Sequence, residues 1–477
     1  MPYKFGVDRK QPALLPASLD DYVPKDHICR LIYAFTEQLD MAALGYKYAE
    51  CKSTGCRPYD LRMMLNLYIY GYLHRVRSSR RLRDEAVRNV EVMWLMEGLE
   101  PDDKTICNFR KENAKALYRT FREFVKMCRE IGLYGRELVA TDGTKIRANN
   151  ALGNNHNLTV VENELSRIDK RISAYLGALE QGDKEEEERP SRDAIREGLE
   201  RLKKRKCKYE ELKTRTEAEG EVSTVDSDAR LMKQSGEGRT LDVCYNVQAV
   251  VDSKNHLIVD FEVTNCANDS GELHRMSEKA KEALGVEGLT NLADKGYYNS
   301  KEIVACEESG VTCLVAKPKA GGPKKAEGFN HKDFVYDKEN DQYICPCGKQ
   351  MRYKCNKKHI SGREYRAYAN YGECGKCQSK AKCTTYRYRE ILRLECQDIL
   401  DAVDERTGKN KALYLKRQEI VEHVFGTIKA VWGYKQFLCR TKAKVKGETA
   451  LACLAYNMRR AFNIYKGTGL KLAAQVW

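Results

Sequence analysis

The chain has 477 residues, with 84 lysines and arginines against 69 acidic residues and a formal net charge of +15. That length fits about two to four domains with at least one sizeable core, and the basic excess favours a polyanionic partner, most often nucleic acid. No run reaches the ~18 uninterrupted apolar residues of a membrane span, because the best stretch, MMLNLYIYGYL, is short and holds Asn66. The opening MPYKFGVDRKQ lacks the apolar core of a signal peptide, and an odd count of 19 cysteines argues against a secreted disulfide scaffold. A soluble cytoplasmic protein is expected, with some cysteines buried and some available to a metal.

After an extended arm over residues 1–24, residues 25–134 read as an all-helical domain. LRMMLNLYIYGYLHRV is apolar almost all round and so central to it. SSRRLRDEAVRNVEVMWLMEGL reads as the next helix, capped by Ser78 or Ser79, and PDDKTICNFRKENAKALYRTFREFVKMCREIGL as a long amphipathic one. Between Arg57 and Val92 stand eight arginines, no lysine and four acids. Arginine clustered where helices turn resembles a helix-turn-helix-like DNA-binding unit, with Arg57, Arg75, Arg77, Arg80, Arg81, Arg83 and Arg110 as candidate contacts. Solvated arginines on a helical bundle are the alternative.

At Gly135 the pattern changes. RELVATDGTKIRA reads as a strand whose apolar lead-in ends at Asp142, with a turn at Gly143. Residues 158–220 read as two charged helices of an antiparallel hairpin, joined by QGDKEEEERPS and inserted into something else. LDVCYNVQAVVDSKNHLIVDFEVT reads as a β-hairpin turning at SKNH. A helix over GELHRMSEKAKEALG follows, then a strand ending at Asp294 with a turn through Gly296, then the strand GVTCLVAKP. The alternation implies a mixed α/β sheet with helices packed on it, built from residues 135–157, 221–335 and 390–465. A short tail, 466–477, closes the chain.

RQEIVEHVFGTIKAVWGY, from Arg417, repeats apolar residues at three and four: Val421, Val424, Phe425, Ile428, Val431 and Trp432. At roughly 100° per residue, Glu422 and Lys429 fall on one flank of the buried stripe, while Glu419 points away from it. Asp142, Asp294 and Glu422 are hard oxygen donors that suit Mg²⁺ or Mn²⁺ if a sheet edge gathers them.

Residues 336–389 form a Cys-rich basic insertion. From Cys345 to Arg389 it holds twelve Lys and Arg, two acids and six tyrosines, a mixture suited to phosphates and stacked bases, although a solvated basic loop is the alternative. Cys345, Cys347, Cys374 and Cys377 are candidate Zn²⁺ ligands. Cys355, Cys383 and His359 leave the choice open, as do reduced, uncoordinated thiols.

Several stretches together resemble the DDE transposases of bacterial insertion sequences, in the branch marked by a Tyr-Arg-Glu-Lys signature. They are GCRPYDLRMMLNLYIYGYLHRVRSSRRLRDEAVRNVEVMWLM, PDDKTICNFRK, ATDGTKIRANN, DSDARLMK, YNVQAVVD, NLADKGYYN and RQEIVEHVFGTIK, spanning Tyr3 to Ile464. The resemblance implies an RNase H-like core in which Asp142, Asp294 and Glu422 bind two Mg²⁺ (or Mn²⁺) ions. It implies DNA contacts from Tyr414, Arg417 and Lys429, although the gap from Arg417 to Glu422 is one residue longer than the commonest pattern. The implied activity is cleavage at the ends of an element and joining of the freed 3′-hydroxyls to target DNA. The implied partners are double-stranded terminal inverted repeats, target DNA and further copies of the chain in a homodimer or larger assembly. An RNase H-like nuclease that joins nothing, and a non-catalytic DNA-binding descendant, are the other readings.

Overall fold

The computed structural model describes residues 18–50, 57–181, 192–234, 240–318, 328–358 and 364–468. Most of the expected N-terminal arm, the charged turn of the helical hairpin, His359 and nearly all of the tail lie outside these residues. The chain divides into two compact units, one of Met1–Asp269, Glu278–Val286 and Gln418–Trp477, the other of Ser270–Ser277 and Glu287–Arg417.

The first unit begins with helices α1 (Ile28–Glu37), α2 (Leu61–Leu73), α3 (Ser79–Arg88), α4 (Val90–Leu95), α5 (Asp103–Glu112) and α6 (Ala114–Glu130). Ten consecutive residues of α2, Met64 to Leu73, are buried, as its all-round apolar character requires. Two long helices expected from periodicity are each broken in two. Asn89 leaves the helical region and its side chain accepts from Glu91 N, so it ends α3 and caps α4. Asn113 breaks α5 from α6 while its side chain bonds Lys47 N and Phe109 O. In both places an asparagine offers the backbone a local hydrogen bond that competes with helix continuation.

Strand β1 (Leu138–Arg147) follows, then β2 (Asn155–Asn157), the packed helix pair α7 (Leu158–Gln181) and α8 (Arg192–Glu219), and β3 (Glu221–Ser223), which pairs with β2. Next come β4 (Arg230–Lys233), β5 (Leu241–Asp252) and β6 (Ile258–Thr264). β5 pairs antiparallel with β1, β4 and β6, and β5–β6 is the expected hairpin.

Helix α9 (Leu273–Leu284) leads into β7 (Leu289–Ala293), α10 (Ser300–Glu308) and β8 (Val311–Val315), and β7 and β8 pair in parallel in the second unit. A five-stranded antiparallel sheet then spans the Cys-rich insertion, for which no strands are expected from the sequence. Its strands are β9 (Val335–Asp337), β10 (Gln342–Ile344), β11 (Gln350–Lys358), β12 (Glu364–Ala369) and β13 (Glu390–Leu394), in spatial order β13-β12-β11-β10-β9. Two one-turn helices, α11 (Tyr371–Cys374) and α12 (Lys380–Cys383), sit between β12 and β13. Charge and tyrosine content hid these strands; the alternation becomes visible only from their core of Phe334, Tyr343, Met351, Tyr368 and Ile391.

Helices α13 (Gln397–Lys409), α14 (Lys411–Phe425) and α15 (Lys442–Thr468) complete the chain. In the first unit α15 packs on α2, α5, α6 and β6, so the N-terminal helices share their core with the chain's last helix. The crossing is close: a Cβ on Gly447 would stand 2.5 Å from Ala114 Cα. Asn457 of α15 accepts from Ile258 N and donates to Ile258 O, covering a stretch of strand edge at β6. Between α6, α9, α15 and β6 lies a buried ionic cluster. Arg122 meets Asp260 at 2.6 Å, and Lys279 and Lys446 meet Glu262 at 2.9 and 3.0 Å. Burial alone would raise the Glu262 carboxyl, but the two ammonium groups reverse that and hold it down to about 2.

Gly447→Val should destabilise the protein by about 1–3 kcal/mol in urea unfolding, through overpacking against Ala114. Glu262→Gln should cost up to about 3 kcal/mol at pH 7. A depressed carboxyl stabilises above its unfolded pKa, so this difference should shrink as pH falls from about 4.5 towards 2, which paired unfolding curves across that range would measure.

Candidate functional site

Asp142 stands in the middle of β1, not at its end: the strand runs on to Arg147 and pairs Asp142 with Ala249 of β5. Gly143 makes no turn. A Cβ there would lie 2.4 Å from Gln248 Nε2 and 2.7 Å from Asp269 Oδ1. Glycine is needed because a polar network fills the sheet face behind Asp142. Asn246 and Gln248 both donate to Asp269 Oδ1, at 2.7 and 2.5 Å. The carboxylate of Asp142 is half-buried and accepts from Gly143 N at 2.8 Å. The sequence signal for these supporting residues is the polar alternation of Asn246 and Gln248 within YNVQAVVD, which marks a second face of the strand.

The opposite face carries Asp142, Thr144 and Ile146 by the two-residue period of a strand. Val424, Phe425, Ile428 and Lys429 meet Thr144, Ile146, Val247 and Ala249 around one small apolar cavity. Lys429 Nζ donates to Lys145 O at 2.8 Å and lies 3.4 Å from Thr144 Oγ1. Burial pushes this ammonium below the usual lysine range, and nearby Lys435 and Lys145 push the same way, against the Cys244 thiol. At the other end of the helix, His423 bonds the Tyr456 hydroxyl and its ring lies 5.7 Å from that of His256. His256 N donates to Asp252 O, and Asp252 is paired with Val139. The helix therefore packs on the face of β1 and β5 that carries Asp142, where it meets Thr144, Ile146, Val247 and Ala249.

Glu422 sits on this helix, exposed, one residue before His423. The even α-helical spacing expected between Glu422 and Lys429 is interrupted. Gly426–Val431 is π-helical, with Trp432 N donating to Thr427 O five residues back. Lys429 is half-buried at this wider turn, while Glu422 stays in solvent. Glu419 is exposed as well, so burial does not separate the two glutamates. π-helical turns inside α-helices occur frequently at functional sites.

In the second unit, Asp294 follows β7 directly, as the sequence indicates. It caps the 3₁₀ turn Lys295–Tyr297 and accepts from Gly296 N at 2.7 Å, half-buried. Tyr414 and Arg417, half-buried, lie on α14, which begins at Lys411 rather than Arg417. Within DSDARLMK, Asp226 and Asp228 accept from Thr441 N and Lys442 N and so cap α15, a structural role.

The candidate DNA contacts separate by burial. Arg57, Arg75, Arg80, Arg81 and Arg83 are exposed. Arg80 and Arg83 lie 3.6 and 3.7 Å from Asp103, and Arg83 also meets Asp84. Arg110 is 4% exposed and donates to Arg77 O and the Tyr72 hydroxyl, so its guanidinium is committed to the fold and is withdrawn as a phosphate contact. Arg77 is half-buried over the Tyr434 ring and donates to Gln436 O.

Among the described residues, His27, Cys29 and Glu91 form a group of metal-type ligand atoms within 4.8 Å of one another. Each has a local role: His27 caps α1, Cys29 is buried in the core, and Glu91 accepts from the Tyr70 hydroxyl. The thiols of Cys345, Cys347, Cys374, Cys377 and Cys383 instead line one shared cavity. No described helix is long and apolar enough to cross a membrane.

A family model described as "Transposase domain (DUF772)" matches residues 17–112, and one described as "Transposase DDE domain" matches residues 344–462. Both matches support an insertion-sequence DDE transposase. The first match holds the exposed arginines; the second holds Glu422, Tyr414, Arg417, Lys429 and the cysteine cavity, while Asp142 and Asp294 fall outside both. No curated protein and no solved structure matches the chain. The fold is the mixed α/β arrangement, with an N-terminal helical region, that an RNase H-like transposase requires.

Replacing Lys429 with Met keeps the apolar stem but leaves Lys145 O without its side-chain donor. The protein should then lose about 1–3 kcal/mol of stability in urea unfolding. A lysine that served only DNA would show no change.

Proposed function

We propose that the chain cuts DNA at the ends of an insertion sequence and joins the freed 3′-hydroxyls to target DNA, with Asp142, Asp294 and Glu422 as the metal-holding carboxylates. The observation that carries this reading is the half-buried Asp142 in mid-β1, with the Glu422 helix fixed along the same sheet face by Lys429. Three carboxylates supply hard anionic oxygens of the kind Mg²⁺ and Mn²⁺ take. When bound, two such ions supply charge neutralisation for the attacking and leaving oxygens of an in-line phosphoryl displacement.

The chain's own residues do the rest. The network of Asn246, Gln248 and Asp269 occupies the face behind Gly143 and keeps β1 straight through Asp142. Lys429 acts as a positioning residue: with one ammonium donor on Lys145 O and Thr144 within reach, it sets the depth of the helix bearing Glu422. Tyr414 and Arg417 offer a stacking face and a bidentate phosphate fork on the preceding turns of that helix. Arg57, Arg75, Arg80, Arg81 and Arg83 are exposed cations of the helical region suited to DNA phosphates, and pairing of two DNA ends calls for more than one copy of the chain.

In assays with DNA carrying the element's own ends and Mg²⁺, Asp142→Asn, Asp294→Asn and Glu422→Gln should each cut cleavage below about one hundredth of wild type. Each should also fail to join pre-cut ends, while mobility shifts show end binding retained. Full cleavage by any one variant removes that residue from the centre. Cleavage by the wild type without joining of pre-cut ends favours the nuclease reading.

A further inference from the structure

The β9–β13 sheet has a small core, centred on Phe334, Tyr343, Met351, Tyr368 and Ile391, under strands rich in lysine, arginine and tyrosine. Segments of this size generally need a disulfide or a metal to hold them. Beside that core, Cys345, Cys347, Cys374, Cys377 and Cys383 surround about 30 Å³ of free space, the size of a single ion or water. All five are free thiols, and Cys347 Sγ and Cys377 Sγ are 3.9 Å apart, far beyond a disulfide bond.

The backbone around the thiols is arranged for thiolates. Cys345 N donates to Lys349 O and Gly348 N to Cys345 O, forming a tight turn with Gly348 at φ +75°, and Lys349 N is directed back at Cys345 Sγ at 3.4 Å. Lys380 and Arg389 line the same cavity. Arg389 donates to Cys383 O through Nη1, and its buried Nε has no hydrogen-bond partner among the described residues. Two cations beside the cavity match the net double negative charge of Zn²⁺ held by four thiolates.

Five thiols compete for four positions, and exposure separates them. Cys345, Cys374, Cys377 and Cys383 are half-buried, whereas Cys347 is exposed. Cys383 has Cys374, Cys345 and Cys377 as its thiol neighbours. Cys345 and Cys347 are separated by only one residue, a tight span for two ligands on one tetrahedral ion.

We propose that Cys345, Cys374, Cys377 and Cys383 hold a structural Zn²⁺ that closes the β9–β13 sheet, with Cys347 at the rim and not a ligand. This replaces Cys347 by Cys383 in the set expected from sequence. Binding draws the thiols inward and releases their protons, since the thiolate is the ligand.

The test is the metal content of the full-length chain purified without chelator from zinc-supplemented cells. Wild type, Cys347→Ser and the exposed strand control Cys355→Ser should each carry about one zinc per chain, while Cys383→Ser should carry less than about a fifth of that. Because Cys383→Ser can misfold for other reasons, the wild-type chain is also loaded with Co²⁺, where four thiolates give the strong visible absorption of a tetrahedral sulfur site. A wild type that holds no zinc and gives no such absorption overturns the site. Loss of zinc in Cys347→Ser with retention in Cys383→Ser overturns the ligand assignment.

Discussion

Val424, Phe425 and Ile428 pack against the β1–β5 face, and Lys429 fixes the contact by donating to a backbone carbonyl of β1. An ammonium held below its usual range by burial is an expensive anchor. What it achieves is register: it ties a helix bearing Glu422 to the strand bearing Asp142 through groups that rotate little. The π-helical turn falls at this contact, with Lys429 half-buried in it. The network behind Gly143 complements it from the other face, so β1 is held on both sides at the residue proposed to carry the chemistry.

Much of this arrangement was legible in the sequence where one periodicity ruled. The all-round apolar α2, the β5–β6 hairpin and the strand ending at Asp294 follow from patterns of 3.6 and 2 that nothing nearby contradicts. Failures came where a local side chain overrode the pattern. Asn89 and Asn113 broke helices that hydrophobic spacing alone would continue. Asp-Gly at 142–143 carried a turn signature, but the glycine answers a crowded face across the strand, and a linear sequence does not display long-range crowding. The five-stranded sheet is masked in the sequence because its strands are rich in cations and tyrosines, with only Phe334, Tyr343, Met351, Tyr368 and Ile391 forming its core.

Charge tells a similar story. The arginine-rich stretch was expected as one DNA-facing group, yet Arg110 and Arg77 are drawn into the fold by Tyr72, Tyr434 and backbone carbonyls, leaving others in solvent. Buried ionic groups also join the helical region to the sheet within the first unit. The pairs of Arg122 with Asp260, and of Lys279 and Lys446 with Glu262, bind α6, α9 and α15 to β6. Such pairs resist separation because removing one partner strands the other in a low-dielectric interior. A large basic excess thus serves two purposes, and only burial divides them.

The most direct test of the account is Mn²⁺ binding followed by electron paramagnetic resonance on the full-length protein with DNA from the element's own ends. The account predicts tight Mn²⁺ occupancy in the wild type that falls in each of Asp142→Asn, Asp294→Asn and Glu422→Gln, with DNA affinity unchanged. Undiminished Mn²⁺ occupancy in any of the three would contradict the claim that these carboxylates form one centre.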